Sequence, residues 1–82
     1  MYTVYVLKSI RFNRYYIGVT SNLINRIKKH NSGSNKSTKA YKPWKIIYQE
    51  NYLGKKLAWK REREIKSWKS GIKFKNLIGG VA

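Results

Sequence analysis

Tyr2-Thr3-Val4-Tyr5-Val6-Leu7 and Arg14-Tyr15-Tyr16-Ile17-Gly18-Val19 are the two stretches that decide how this chain begins to fold. Tyrosine and β-branched residues dominate both, and such side chains suit the pleated surface of a strand. In the first stretch Tyr2, Val4 and Val6 share one face, and Thr3, Tyr5 and Leu7 share the other. Ser9 to Asn13 is short enough for a hairpin connection. Pairing Tyr5 with Tyr16 sets Lys8 opposite Asn13 and leaves a four-residue loop, Ser9 to Phe12, an ordinary hairpin length. That register puts the two tyrosines side by side on one face.

Thr20-Ser21-Asn22 offers capping oxygens for a helix, with Leu23, Ile24, Ile27 and His30 following at helical spacing and Gly33 able to end it. Ser32 to Lys42 is polar and rich in Gly, Ser and Lys, which predicts a mobile basic loop, stopped by Pro43. Trp44 to Tyr52 predicts a third strand, with Trp44, Ile46, Tyr48 and Glu50 on one face and Lys45, Ile47, Gln49 and Asn51 on the other. Gly54 breaks the chain. Lys55 to Lys69 predicts a second helix with an apolar stripe of Leu57, Ala58, Ile65 and Trp68. Ser70-Gly71 is a break, Ile72 to Ile78 a short third helix, and Gly79-Gly80 its end. The order is β-β-α-β-α-α, with no repeat and no domain boundary, so a single domain over 1–82 is expected.

Composition narrows the function. The chain has 82 residues, 19 Lys plus Arg against 3 Asp plus Glu, and a formal net charge of +16. It has no Cys, so thiolate chemistry and Cys-based zinc sites are excluded. Asp is absent, His30 is the sole histidine, and Glu50, Glu62 and Glu64 are the only side-chain carboxylates. A Ser-His-Asp triad and a two-metal aspartate cluster do not fit this inventory. No apolar run approaches the ~20 residues that span a bilayer, and no secretory signal opens the chain, so the cytoplasm is expected. The charge calls for a polyanionic partner, with nucleic acid first. A membrane-surface role fits less well, because the basic residues run from Lys8 to Lys75 rather than along one helix. Seven Tyr, three Trp and two Phe lie among the cations. Such interleaving serves base stacking and phosphate contact together, or a small core of large side chains.

In order, the chain carries Thr3-Val4-Tyr5, Tyr16-Ile17-Gly18, then Asn22-Leu23-x-x-Arg26-Ile27-x-x-His30-Asn31. Ser37-Thr38-Lys39 with Lys42-Pro43-Trp44 follows, and then Ala58-x-x-Arg61-Glu62-x-x-Ile65-Lys66-x-Trp68. This series resembles the GIY-YIG nuclease superfamily, in particular its small standalone members of the UPF0213 type and the UvrC N-terminal domain. Thr3 stands where the name-giving glycine would be, a departure that touches no chemical group. The resemblance implies an α+β fold, a small three-stranded antiparallel sheet flanked by helices. It also implies a metal-dependent endonuclease acting on DNA phosphodiester bonds, structure-selective and linked to DNA repair or recombination.

The resemblance also implies roles. Tyr5 and Tyr16 flank the reactive phosphate, and one of them, Tyr5 by preference, deprotonates the attacking water. A phenol titrates near 10, so it needs a cationic field, which a +16 domain supplies. Their ordinary reading is cross-strand packing. Arg26 braces the charge developing on phosphate, a task for a permanently charged fork, or is a solvated helix arginine. His30 contacts phosphate or assists proton transfer, or is simply packed on the stripe with Leu23 and Ile27. Glu62 holds Mg²⁺ or Mn²⁺, or pairs with Arg61, Arg63 or Lys66 on a charged helix. Glu62 and Glu64 lie at opposite flanks of the apolar stripe; geometry alone does not choose between them, and the resemblance chooses Glu62. Asn76 matches an asparagine that some relatives place near the scissile phosphate. Lys36, Lys39, Lys42 and Lys45 are candidates for backbone contacts to DNA, with RNA a less favoured partner. Two other readings stand beside the enzyme: a nucleic-acid-binding module of the same fold that does not cut, and a ribosome-associated RNA binder. The sequence sets neither the oligomeric state nor the DNA structure recognised.

Overall fold

The strand β1 (Tyr2–Ser9) has a neighbour on each side, which accounts for its unbroken apolar run. In the computed structural model, which describes residues 1–34, 36–68 and 71–79, the sheet order is β2-β1-β3, with β2 Tyr15–Thr20 and β3 Trp44–Tyr52. Both pairings are antiparallel. As the central strand, β1 is covered on both faces, and Val4, Tyr5, Val6 and Leu7 are all fully buried. Each such side chain contributes roughly 1.5–3 kcal/mol, so this one strand holds much of a necessarily thin core. The alternation sorts these side chains as expected. Val4 and Val6 face Ile17, Ala58, Ile65, Phe74 and Ile78, whereas Tyr5 and Leu7 face Trp44 with Leu23, Ile27 and Tyr41. Helices α3 (Lys55–Trp68) and α4 (Ile72–Gly79) therefore cover one face of the sheet, and α1 (Leu23–Ser32) the other. The α+β fold read from the sequence is the fold observed.

Three details differ from the sequence reading. The hairpin register pairs Tyr5 with Gly18 and Leu7 with Tyr16, two residues from the expected one, with a longer turn closed by Ser9 N–H to Arg14 O at 3.0 Å. A two-residue slip preserves the face, so Tyr5 and Tyr16 still project to the same side, diagonally rather than opposite. In β3 the ladder runs from Val6↔Tyr48 to Leu7↔Ile46, leaving Ile47 as an extra residue. That bulge reverses the alternation. Trp44 joins the α1 face, while Tyr48, Glu50 and Tyr52 turn to the α3 face, so Trp44 and Glu50 do not share a face after all. Finally, the expected mobile loop contains a helical turn, α2 (Lys36–Lys39), and its Thr38 is buried.

Helix α1 starts where Asn22 Oδ1 accepts the Asn25 N–H at 3.1 Å, and ends at Gly33 with φ 82°, the left-handed cap that glycine adopts without strain. Asn31 ties its last turn to β3, accepting the Trp44 N–H at 2.6 Å and donating to the Trp44 carbonyl at 3.2 Å. Helix α3 buries Ala58 and Ile65 with Trp68 half-buried, but Leu57, expected on that stripe, is 60% exposed. Ile24 of α1 is likewise exposed. The expected helix end at Lys69, the break at Ser70 and the glycine end at Gly80 lie outside the described residues. Among the described residues no helix is long and apolar enough to cross a membrane.

Glu50 anchors α3 to the sheet. Its carboxylate accepts hydrogen bonds from the Tyr48 and Tyr52 hydroxyls and from Arg61, at 2.9 Å from Nε and 3.0 Å from the second guanidinium nitrogen. The guanidinium also lies 5.0 Å from the Trp68 ring centre. Burial raises the Glu50 pKa, but the bonds from Arg61, Tyr48 and Tyr52 outweigh it and hold the carboxyl below its ordinary range. In return the hydrogen bond to Glu50 pushes Tyr52 up to about 12. This carboxylate is fully engaged in structure.

Candidate active site

Gly18 is the position around which the site is built. A Cβ placed there would sit 2.6 Å from the Tyr5 hydroxyl oxygen and 2.7 Å from Tyr5 Cζ, closer than any side chain permits. The absent side chain on β2 is therefore the space that the Tyr5 phenol fills. The Tyr5 hydroxyl is 3.3 Å from His30 Nε2, and His30 Nδ1 is 2.9 Å from Thr38 Oγ1. Arg26 lies close enough that its charge acts on the Tyr5 hydroxyl. With the phenol donating to Nε2 and Nδ1–H donating to Thr38, both ring nitrogens of a neutral His30 are satisfied. Tyr16 stacks obliquely beside them, its ring centre 6.2 Å from Tyr5 and 4.7 Å from His30. Thr38 is held in turn through its carbonyl, which accepts from the Trp44 indole N–H at 2.9 Å.

Four of the residues expected at the site, Tyr5, Tyr16, Arg26 and His30, thus form one cluster. Tyr5 and His30 are fully buried, while Tyr16 and Arg26 are half-buried and reach toward solvent. Arg26, Lys29, Ser34 and Lys36 rim a cleft of about 590 Å³ with His30 at its floor. Its wall is cationic, which suits a phosphate. Glu62 approaches from the other side of the sheet, close enough that its charge raises the Tyr5 pKa. Its side chain is 21% exposed and lies 3.5 Å from Lys66 Nζ, whereas Glu64 is 49% exposed and sits 3.7 Å from Arg61. The two carboxylates that helical geometry left equivalent differ in burial and reach: Glu62 is the more buried and its charge reaches Tyr5, whereas Glu64 is the more exposed. Lys39 and Lys42 lie along Gly33 at the end of α1, and Lys45 is exposed on β3. Asn76 is on the exposed side of α4, opposite its buried Phe74 and Ile78.

The electrostatics depart from expectation at Tyr5. Burial, then the neighbouring Tyr16 and Glu62, raise its pKa, and Arg26 does not compensate. The cationic field of the domain does not make this phenol acidic, so Tyr5 holds its proton and serves as a donor. Burial, reinforced by the Arg26 charge, lowers the His30 pKa and keeps the ring neutral. Sequence reasoning assigned no role to Gly18 or Thr38; both stood in the motif series, but only the packing shows what they do.

Two outcomes follow from this packing. Gly18→Ala should push the Tyr5 ring aside and break its bond to His30. A displacement near 1 Å at a catalytic group costs ~10²-fold in turnover. Gly54→Ala, where no atom lies within 4 Å, is the control and should leave turnover unchanged. The second concerns acid. His30 binds a proton more readily unfolded than folded, so its contribution to stability is full above pH ~6.5 and is lost as pH falls from there toward its lower folded value. Thermal midpoints should decline across that window in the native protein and stay flat in His30→Gln. Loss from Glu50 begins lower, below its unfolded value of 4.5, which keeps the two windows apart.

A divalent cation would have to be held with few protein ligands. Among the described residues no group of three His, Cys, Asp or Glu side chains comes together. Glu50 is engaged by Arg61 and two phenols, which leaves Glu62 as the carboxylate whose charge reaches Tyr5. One hard oxygen donor completed by water fits Mg²⁺ or Mn²⁺ and does not fit zinc.

Residues 1–75 match the family described as the GIY-YIG catalytic domain. A UPF0213 protein of Staphylococcus haemolyticus is 40% identical over 73 residues, covering 88% of each chain. One of Staphylococcus epidermidis is 37% identical over 78 residues, covering 94% of each. The solution NMR structure of a UPF0213 protein from Bacillus halodurans superposes with a TM-score of 0.60 at 30% identity, covering 96% of this chain and 84% of that one.

Proposed function

The chain belongs to the GIY-YIG nuclease family, and from that premise we propose that it is a divalent-metal-dependent endonuclease that hydrolyses DNA phosphodiester bonds. The clustering of Tyr5, Tyr16, His30 and Arg26 beside Gly18, with the charge of Glu62 reaching Tyr5, carries this reading. Glu62 would hold Mg²⁺ or Mn²⁺, which supplies Lewis-acid neutralisation of charge on the phosphate when bound. Arg26, half-buried at the cleft rim, braces the charge that develops on the phosphate oxygens. Tyr5 stays protonated between Arg26 and His30 and positions the cluster. Tyr16, half-buried beside it, takes the proton of the attacking water, so the role of base passes from Tyr5 to its neighbour. Lys29, Lys36 and the exposed Lys39, Lys42 and Lys45 neutralise flanking phosphates without reading sequence. The substrate is a structured DNA of the kind met in repair or recombination, in the cytoplasm.

A non-cutting nucleic-acid-binding module is the second reading. It is favoured by one observation, the pairing of Glu62 with Lys66, which gives the carboxylate a partner without any metal. A cleavage assay on end-labelled linear, flap and junction DNAs, with RNA of the same sequences beside them, separates the two. Cut DNA in Mg²⁺ supports the enzyme; tight binding with every substrate intact supports the module.

A further inference from the structure

We infer that the outer face of α3 carries a stacking subsite, centred on Trp59, for an unpaired base of the DNA strand whose phosphate lies at Glu62. This inference rests on the reading of the site as one that acts on DNA, and it names the substrate class as DNA with a single-stranded segment beside the cut.

Among the described residues nearly all the aromatics are spent on the core or on half-buried packing, and Phe12 and Trp59 alone are exposed. Phe12 lies edge-on to Tyr41 at 5.4 Å between ring centres. Trp59, 52% exposed, instead carries the ammonium of Lys55 4.5 Å from its ring centre. With Lys56, Lys60 and Arg63 it lines an open hollow on the surface of α3 that also includes Glu62 and Glu64. The proposed metal ligand thus belongs to the wall of this hollow, and its charge also reaches Tyr5.

A large apolar ring left in water among four cations and two carboxylates, a net positive setting, is a poor seat for an apolar protein partner, because docking would desolvate the charges. It is a good seat for a nucleotide, whose base covers the ring while its phosphates meet the cations. Bases inside a duplex already stack on each other and offer no free face, so the platform engages only an unpaired one. Trp59 and Glu62 are one helical turn apart on α3, which places such a base beside the strand held at Glu62.

The test uses the full chain in EDTA, so that binding is read without cutting. Fluorescence anisotropy compares oligothymidine, oligouridine and a hairpin duplex against the native protein, Trp59→Ala and Trp59→Phe. Trp59→Ala is expected to weaken oligothymidine binding about 5- to 100-fold, to change duplex binding less than about twofold, and to be largely rescued in Trp59→Phe. Equal loss on both DNAs, or no loss on either, overturns the subsite, and a native preference for oligouridine overturns its assignment to DNA. If the native protein cuts no DNA in Mg²⁺ yet Trp59→Ala loses single-strand binding selectively, the nuclease reading fails and the subsite stands. If it cuts and Trp59→Ala binds and cuts every substrate normally, the subsite fails and the nuclease stands.

Discussion

Glu62→Gln is expected to reduce cleavage by at least ~10²–10³-fold, the range for loss of one preorganised charge-stabilising group, while leaving the fold intact. The substitution keeps size and hydrogen bonding and removes the charge that would hold a cation. Among the described residues the other two carboxylates are engaged elsewhere: Glu50 by Arg61, Tyr48 and Tyr52, and the more exposed Glu64 by its 3.7 Å contact to Arg61. The net charge becomes more positive and Lys66 is released from its 3.5 Å contact, so metal-free DNA binding should hold or tighten. Glu64→Gln makes the same charge change two residues along the same helix and should leave cleavage nearly unchanged. Each variant should stay within about ±0.5 kcal/mol of native stability, since neither carboxylate is deeply buried. Single-turnover rates and anisotropy on one labelled substrate measure both properties.

Tyr16→Phe is expected to lower turnover by ~10²–10⁴-fold, the usual span for a positioned acid or base, with stability and DNA binding kept. The ring, with its contacts to Tyr5 and His30, remains; only the hydroxyl goes. Tyr5→Phe should behave differently. Its hydroxyl is buried between His30 and Arg26, so removing it strands a buried nitrogen of His30 and costs about 1–3 kcal/mol of stability as well as activity. A loss of stability confined to Tyr5→Phe, alongside the larger loss of turnover in Tyr16→Phe, is the pattern that separates a positioning phenol from a basic one. Full activity in both variants would leave the tyrosines as packing residues.

Much of this site was legible because strand periodicity is robust to small errors. Tyr5 and Tyr16 were expected on one face from an incorrect register, and they stayed there because the true register differs by an even number of residues. The helix carrying Arg26 and His30 was marked at both ends by its own capping residues, Asn22 and Gly33. What escaped was set by contacts distant in sequence. The bulge at Ile47 has no local signature, yet it decides that Glu50 meets Arg61 instead of lying beside Trp44. Thr38 sits in a stretch whose composition reads as loop, and it is ordered by His30 and the Trp44 indole. Gly18 resembled a motif letter until the Tyr5 ring was seen to occupy the volume of its missing side chain. Net charge misled at Tyr5, because a +16 total says nothing about the local balance of burial against one arginine.

The most direct measurement is nicking of a labelled branched DNA during a Mg²⁺ titration, with the native protein and Glu62→Gln in parallel and EDTA as the stop. The expected result is product that rises with Mg²⁺ and saturates in the native protein, vanishes in EDTA, and is absent from Glu62→Gln at every concentration. Cutting that persists in EDTA, or that Glu62→Gln performs as well as the native chain, would contradict a metal-dependent site at Glu62.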